Sequence, residues 1–191
     1  TTAPIEEISF ILDAGDMNLD IANKSFDNNY GQTLGKILHN STHNDLFGDG
    51  ILKDIMSYTS AACDARMAGC PSPVMSNSGS GNQGIATTVP VGIYARDTKQ
   101  PKEKLIRALI LSNLTSIYIK QSLGRLSALC GCVVASTGSS CGITYLMGGG
   151  YEQVCYSVKN MIANITGMIC DGAKPSCSLK LATGISSAVL S

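Results

Sequence analysis

The chain has 191 residues, enough for one domain with a substantial core. Hydrophobic residues make up 44% of it, which excludes a disordered chain. Fourteen basic residues balance fourteen acidic ones, leaving no excess positive charge for a phosphate backbone or an anionic membrane surface. No run of eighteen apolar residues exists, so no membrane-spanning helix is expected. The start, Thr1-Thr2-Ala3-Pro4, has neither initiator Met nor signal-peptide features, and the chain reads as a probable fragment of a longer one.

The periodicity is helical nearly throughout. Ile5, Ile8, Ile11, Leu12, Leu19 and Ile21 predict a helix from Ile5 to about Ala22, with Glu6 and Glu7 in its first turn. A polar stretch at Asn28–Gly31 precedes a short apolar segment, Leu34 to Leu38. Gly48-Asp49-Gly50 then opens a helix from Ile51 to Met67, which Pro71 and Pro73 close. The clearest helix covers residues 102 to 123 and is followed by Gly124. A small-residue helix is expected over Leu126 to Leu146, another over Tyr151 to Ile169, and a last one after Pro175. No set of alternating runs joined by hairpin turns exists, so the expected fold is all-α. Residues 1–191 are read as one compact multi-helix domain with close small-residue packing.

The run Ser76-Asn77-Ser78-Gly79-Ser80-Gly81-Asn82-Gln83 is polar or glycine throughout. Leading into a helix, such a run exposes backbone N–H groups and forms an anion cradle. It lacks the Lys-Ser/Thr ending of a phosphate loop, so a small carboxylate suits it better than a nucleotide. A solvated loop with a good N-cap is the plain alternative.

Eight cysteines carry the remaining signal. With no secretion signal and a chain long enough to bury a core, reduced thiols in the cytoplasm are expected, and clustered ones point to metal or catalysis. Three glycosylation-type sequons, at Asn40, Asn113 and Asn164, are read as chance matches. Cys130 and Cys132 fall in a helical pattern, where neighbours two apart point roughly 160° from each other. Only one of them is then expected to face a given centre. Cys141 lies roughly 16 Å along the same helix from Cys130. Cys170 and Cys177 flank Asp171-Gly172-Ala173-Lys174-Pro175-Ser176, which is turn chemistry. Cys177 would open the next helix, at a positive end that favours thiolate. Thiolates at such a turn suit zinc or an iron–sulfur cluster. His39 and His43 lack the glutamate of an H-E-x-x-H arrangement, and Cys63, Cys70, Cys141 and Cys155 are read as small core residues.

Four segments together carry a family resemblance. They are Cys63-Asp64-Ala65-Arg66-Met67, Pro73 to Gly84, Gly124 to Gly131, and Thr166 to Lys174 with Cys177. The chain resembles the L-cysteine desulfidase-like proteins of the serine dehydratase alpha-chain superfamily over essentially its whole length. The resemblance implies a [4Fe–4S] enzyme with three cysteine ligands, Cys130, Cys170 and Cys177, and with Cys132 as the rival for the first place. It implies one iron left open as a Lewis acid, and β-elimination from a small L-amino acid, cysteine or serine, to pyruvate and ammonia. The Ser76 to Gln83 loop would hold the amino acid. Departures from the family pattern leave the catalytic base unassigned, because no N-terminal or C-terminal tail cysteine has a counterpart here. Lys174 and Arg66 are candidates for charge balance, and a homo-oligomer is a possible assembly. A non-catalytic zinc-binding or structural thiol domain is the competing reading.

Overall fold

The computed structural model describes residues 2–41, 48–124 and 126–191. It is all-α: α1 (Ile5–Ile8), α2 (Ile11–Asp27), α3 (Leu34–Asn40), α4 (Ile51–Met67), α5 (Gly81–Asp97), α6 (Lys102–Leu123), α7 (Gly131–Leu146), α8 (Tyr151–Ile165) and α9 (Cys177–Leu190). Among the described residues there is no strand, only two isolated bridges, Asn77 with Ser80 and Leu129 with Ile169. None of the described helices is long and apolar enough to cross a membrane.

Two helices form the centre because they are apolar or small on every side. In α5 every residue from Gly81 to Val91 is buried, and in α7 every residue from Val134 to Ile143 is. Helices α2, α4, α6, α8 and α9 pack around them. Small residues let the backbones approach closely. A Cβ on Gly138 of α7 would lie 2.3 Å from the Ser112 carbonyl oxygen of α6, and one on Gly35 of α3 would lie 2.2 Å from the Ala61 nitrogen of α4.

The expected first helix divides at Ser9 and Phe10 and then runs five residues further, to Asp27. Its inward stripe is Ile11, Ala14, Asn18, Ile21, Ala22 and Ser25. Asn18 is fully buried and fully used. Its Nδ2 donates to the Met75 carbonyl (3.2 Å) and to Thr88 Oγ1 (2.9 Å), and its Oδ1 accepts from the Met75 N–H (2.9 Å). A polar residue within an apolar stripe thus pins the start of the polar loop to the core.

Helix α3 has no cap of its own, since Thr33 at its N-cap is left-handed (φ 54°) and makes no capping bond. Asp64 of α4 supplies one: Gly35 N–H donates to Asp64 Oδ2 at 3.1 Å. Burial pushes the Asp64 carboxyl above its ordinary range in spite of backbone N–H bonds from Gly35, Gln32 and Leu34. A carboxyl whose pKa is higher in the folded state than in the unfolded one stabilises the fold most when protonated. That contribution is complete below the unfolded value of about 3.9 and is lost as pH rises through the folded value. Urea midpoints of wild type minus Asp64→Asn are therefore expected to fall as pH is raised from about 4 through the raised pKa. A difference that rises or stays flat over that window would contradict this role.

Candidate functional site

Five stretches of chain meet at one cleft of about 320 Å³. Its walls include Arg66 from α4, Gly79, Ser80, Asn82 and Gln83 from the polar loop and α5, Lys120 from α6, and Leu126, Ser127 and Leu129 with Cys130, Gly131 and Cys132. Cys170 to Cys177 and Lys180 complete it. Cys130, Cys170 and Cys177 all line it, as does Cys132.

The polar loop divides into parts with different duties. Asn77 and Ser80 exchange backbone hydrogen bonds (3.1 and 3.0 Å) across Ser78 and Gly79, both at positive φ (51° and 81°). This is the signature of a type I′ turn. Asn77 is buried away from the cleft, its Nδ2 donating to Asn113 Oδ1 at 2.9 Å. Ser76 and Gly81 do not line the cleft either, although Gly81 lies against the Arg66 side chain. Ser80 caps α5 by accepting from the Gln83 N–H at 3.4 Å. The expected loop therefore ends at Ser80, and Gly81, Asn82 and Gln83 form the first turn of a helix whose N-terminus opens on the cleft. Asn82 Oδ1 accepts from Arg66 Nη1 (3.0 Å) and from the Cys63 thiol (3.5 Å). Gln83 is buried against the backbone of Gly131, where a Cβ would meet its amide at 2.8 Å, and its Oε1 has no hydrogen-bond partner.

Cys130 lies outside α7. It is the residue before the helix, in extended conformation (φ −66°, ψ 125°), so the expected helix over Leu126 to Leu146 begins at Gly131 instead. Helix α8 likewise stops at Ile165 rather than Ile169. Both differences have one cause. The Cys130 N–H donates to the Met168 carbonyl (2.9 Å) and the Cys170 N–H to the Ala128 carbonyl (2.7 Å), on either side of the Leu129–Ile169 pair. This small antiparallel bridge takes residues 128–130 and 168–170 out of helix and places Cys130 and Cys170 on adjoining extended segments.

Cys130 and Cys132 therefore both face the cleft, since Cys130 lies outside the helix that was expected to turn the two apart. The Cys132 thiol donates to the Cys130 sulfur, and this bond with the N–H groups of Cys132 and Val133 lowers the Cys130 pKa to about 6. Lys180 adds to the effect. The same bond and burial push the Cys132 thiol well up. Cys130 is thus the more acidic sulfur of the pair and Cys132 its donor. Cys177 begins α9 as expected, its sulfur 3.4 Å from the Lys174 nitrogen. Cys63 is fully buried under Asn82, and Cys141 faces α8, away from the cleft. Cys70 and Cys155 are only partly buried, and all eight cysteines are free.

Cations surround the thiols. Lys180, three residues after Cys177 and hence on the same face of α9, bonds to Asp171 and to the Ile169 carbonyl (3.0 Å). Lys180 and Lys174 together hold the Asp171 carboxyl far below the usual carboxylate range. Lys174 is thus committed to Asp171 (2.9 Å), and Lys180, not singled out from the sequence, is the cation beside Cys130. Arg66 and Lys120 have no carboxylate partner among the described residues. His39 belongs to an aromatic group, stacked on Phe26 at 4.2 Å, and His43 lies outside the described residues. Among the described residues no three His, Cys, Asp or Glu side chains gather around a point as ligands of one metal ion.

An all-α domain with a cation-rich cleft, thiols on one wall and a helix N-terminus on the other, is the class of structure defined here. A family model for the serine dehydratase alpha chain matches residues 1–191, and the chain belongs to that family. It is similar to UPF0597 proteins of Bacteroides fragilis (64% identical over 190 residues), Phocaeicola vulgatus (66% over 192) and Vibrio parahaemolyticus (47% over 191). Each alignment covers 100% of this chain and 44 to 45% of the relative, so the chain spans less than half the length of these proteins. No solved structure matches it.

Proposed function

We propose that the protein is an iron–sulfur-dependent lyase that performs β-elimination on a small L-amino acid, L-cysteine or L-serine. The observation that carries this reading is the meeting of Cys130, Cys170 and Cys177 with the Ser80, Asn82 and Gln83 end of the polar loop in one cleft. The donor set fits a [4Fe–4S] cluster: three thiols from separate segments, one of them with its pKa lowered to about 6, beside a lysine. Thiols spread around a cleft suit a group in which each ligand holds a different iron better than a single tetrahedral zinc ion. When bound, such a cluster supplies an iron with an open position, a Lewis acid for the departing hydroxyl or thiol.

The chain's own groups bind and orient the substrate. Arg66, held by Asn82 beside the first turn of α5 and without a carboxylate partner among the described residues, offers its guanidinium to the α-carboxylate. Of that first turn the Gln83 N–H is taken by Ser80, which leaves the N–H groups of Gly81 and Asn82 to add to it. Gln83, with an unpartnered amide oxygen, offers an acceptor for the amino group. The Cys132 thiol, donating to the Cys130 sulfur, favours its thiolate. Free thiols throughout fit a reducing compartment, the cytoplasm.

Anaerobic reconstitution of the full-length protein with iron and sulfide tests the reading. About four irons per chain, a broad visible absorbance and pyruvate released from L-cysteine or L-serine are expected. Full-length protein that takes up no iron and releases no pyruvate rules the reading out.

A further inference from the structure

We propose that the outer face of α6 beside the cleft is a docking surface for the part of the polypeptide that the relatives carry outside the matched region. The inner face of α6 is filled by Ile106, Ala108, Leu109, Ser112 and Ser116, all buried against neighbours. Yet its C-terminal half carries a second apolar stripe facing outward. Leu114, Ile117 and Tyr118, at helical spacing of three and four, are 57%, 37% and 74% exposed. Leu126, just beyond the helix, is 96% exposed. Single exposed apolar residues are ordinary, but a stripe of them bordering a groove marks a contact surface. The groove here has a volume of about 600 Å³ and is lined by Ser78, Gly79, Ile117, Lys120, Gln121 and Gly124.

Two observations select the occupant. The relatives are more than twice as long as this chain, so a large stretch of the same polypeptide is available at high effective concentration. The groove is also continuous with the cleft, since Gly79 and Lys120 line both. The docked segment presents apolar side chains to Leu114, Ile117 and Tyr118. It presents a carboxylate or carbonyl oxygen to Lys120, which has no carboxylate partner among the described residues. Seated there, it forms the missing outer wall of the cleft and keeps bulk water from it. This holds whatever chemistry the cleft performs.

Hydroxyl-radical footprinting of the full-length protein, run across a range of concentrations alongside its measured mass, tests the proposal. Tyr118 is expected to oxidise several-fold more slowly than the exposed Tyr151, and Leu126 than the exposed Leu190, in the monomeric full-length chain. Fast oxidation of both in the monomer overturns it. Protection that appears only as the protein dimerises assigns the face to a second copy and overturns it equally. Tyr118→Glu in the full chain gives an independent reading. A lowered unfolding midpoint is expected for a charge forced into a contact, whereas an unchanged midpoint, as at a free surface, counts against docking.

Discussion

Alanine at Gly84 is expected to destabilise the protein by about 3 kcal/mol or more and to abolish whatever the cleft does. A Cβ there would lie 1.8 Å from the Met75 carbonyl oxygen, 2.8 Å from its carbon and 3.0 Å from Ser76 Cα. All three are backbone atoms, and none can rotate aside. Met75 is itself held from the other side, because both its N–H and its carbonyl are bonded to Asn18. The segment cannot retreat without breaking that buried amide's bonds and dragging the turn at Ser78 and Gly79 with it. Gly92, two turns further along α5, is the control: nothing lies within 4 Å of its Cβ position. Gly92→Ala is expected to gain about 0.5–1 kcal/mol, since alanine costs less backbone entropy in a helix. Urea unfolding with a common slope measures both. Similar midpoints for the two variants would show that the loop is not clamped as described.

The second large effect concerns the thiols. Serine at Cys130, Cys170 or Cys177 is expected to remove most of the iron bound after reconstitution and reduce pyruvate formation to background. Cys132→Ser is expected to behave differently. The smaller hydroxyl donates to the Cys130 sulfur from a longer distance, so iron is retained, and activity falls by about 10-fold, as for a weakened outer partner of a metal ligand. Iron content and rate are read separately, so a ligand and a positioning residue give distinct patterns. Full iron in the Cys130, Cys170 and Cys177 variants would remove them as ligands. Loss of iron in Cys132→Ser equal to that in Cys130→Ser would make Cys132 a ligand in its own right.

Much of this was readable from residue order, and the failures share a physical origin. Helices α4 and α6 begin and end where Gly50 and Gly124 and the 3.6-residue pattern place them. The convergence of the polar loop with three cysteines was accessible through family resemblance, whereas spacing alone placed only Cys170 and Cys177 together. The ends of α7 and α8 were misplaced because both depend on pairing between residues forty apart, and periodicity within a window does not register such pairing. The same blindness hid Asn18 and Lys180. Asn18 occupies a core position of α2, where a polar residue in an apolar stripe was the available sign. Lys180 follows Cys177 by three on α9, a spacing that puts both on one face. Asp64, capping α3 from another helix, left no trace in the local pattern of either segment.

The bridge at Leu129 and Ile169 has a consequence for how the molecule can change over generations. Peptide groups, which every amino acid except proline supplies in full, hold Cys130 and Cys170 in place. Ala128 and Met168 contribute carbonyl oxygens alone to that brace. The exposed Ala128 side chain is thus free to drift while the two sulfurs stay put, and Met168 is constrained by its packing on the core rather than by the brace. A proline at position 130 or 170 is the change that the brace cannot absorb.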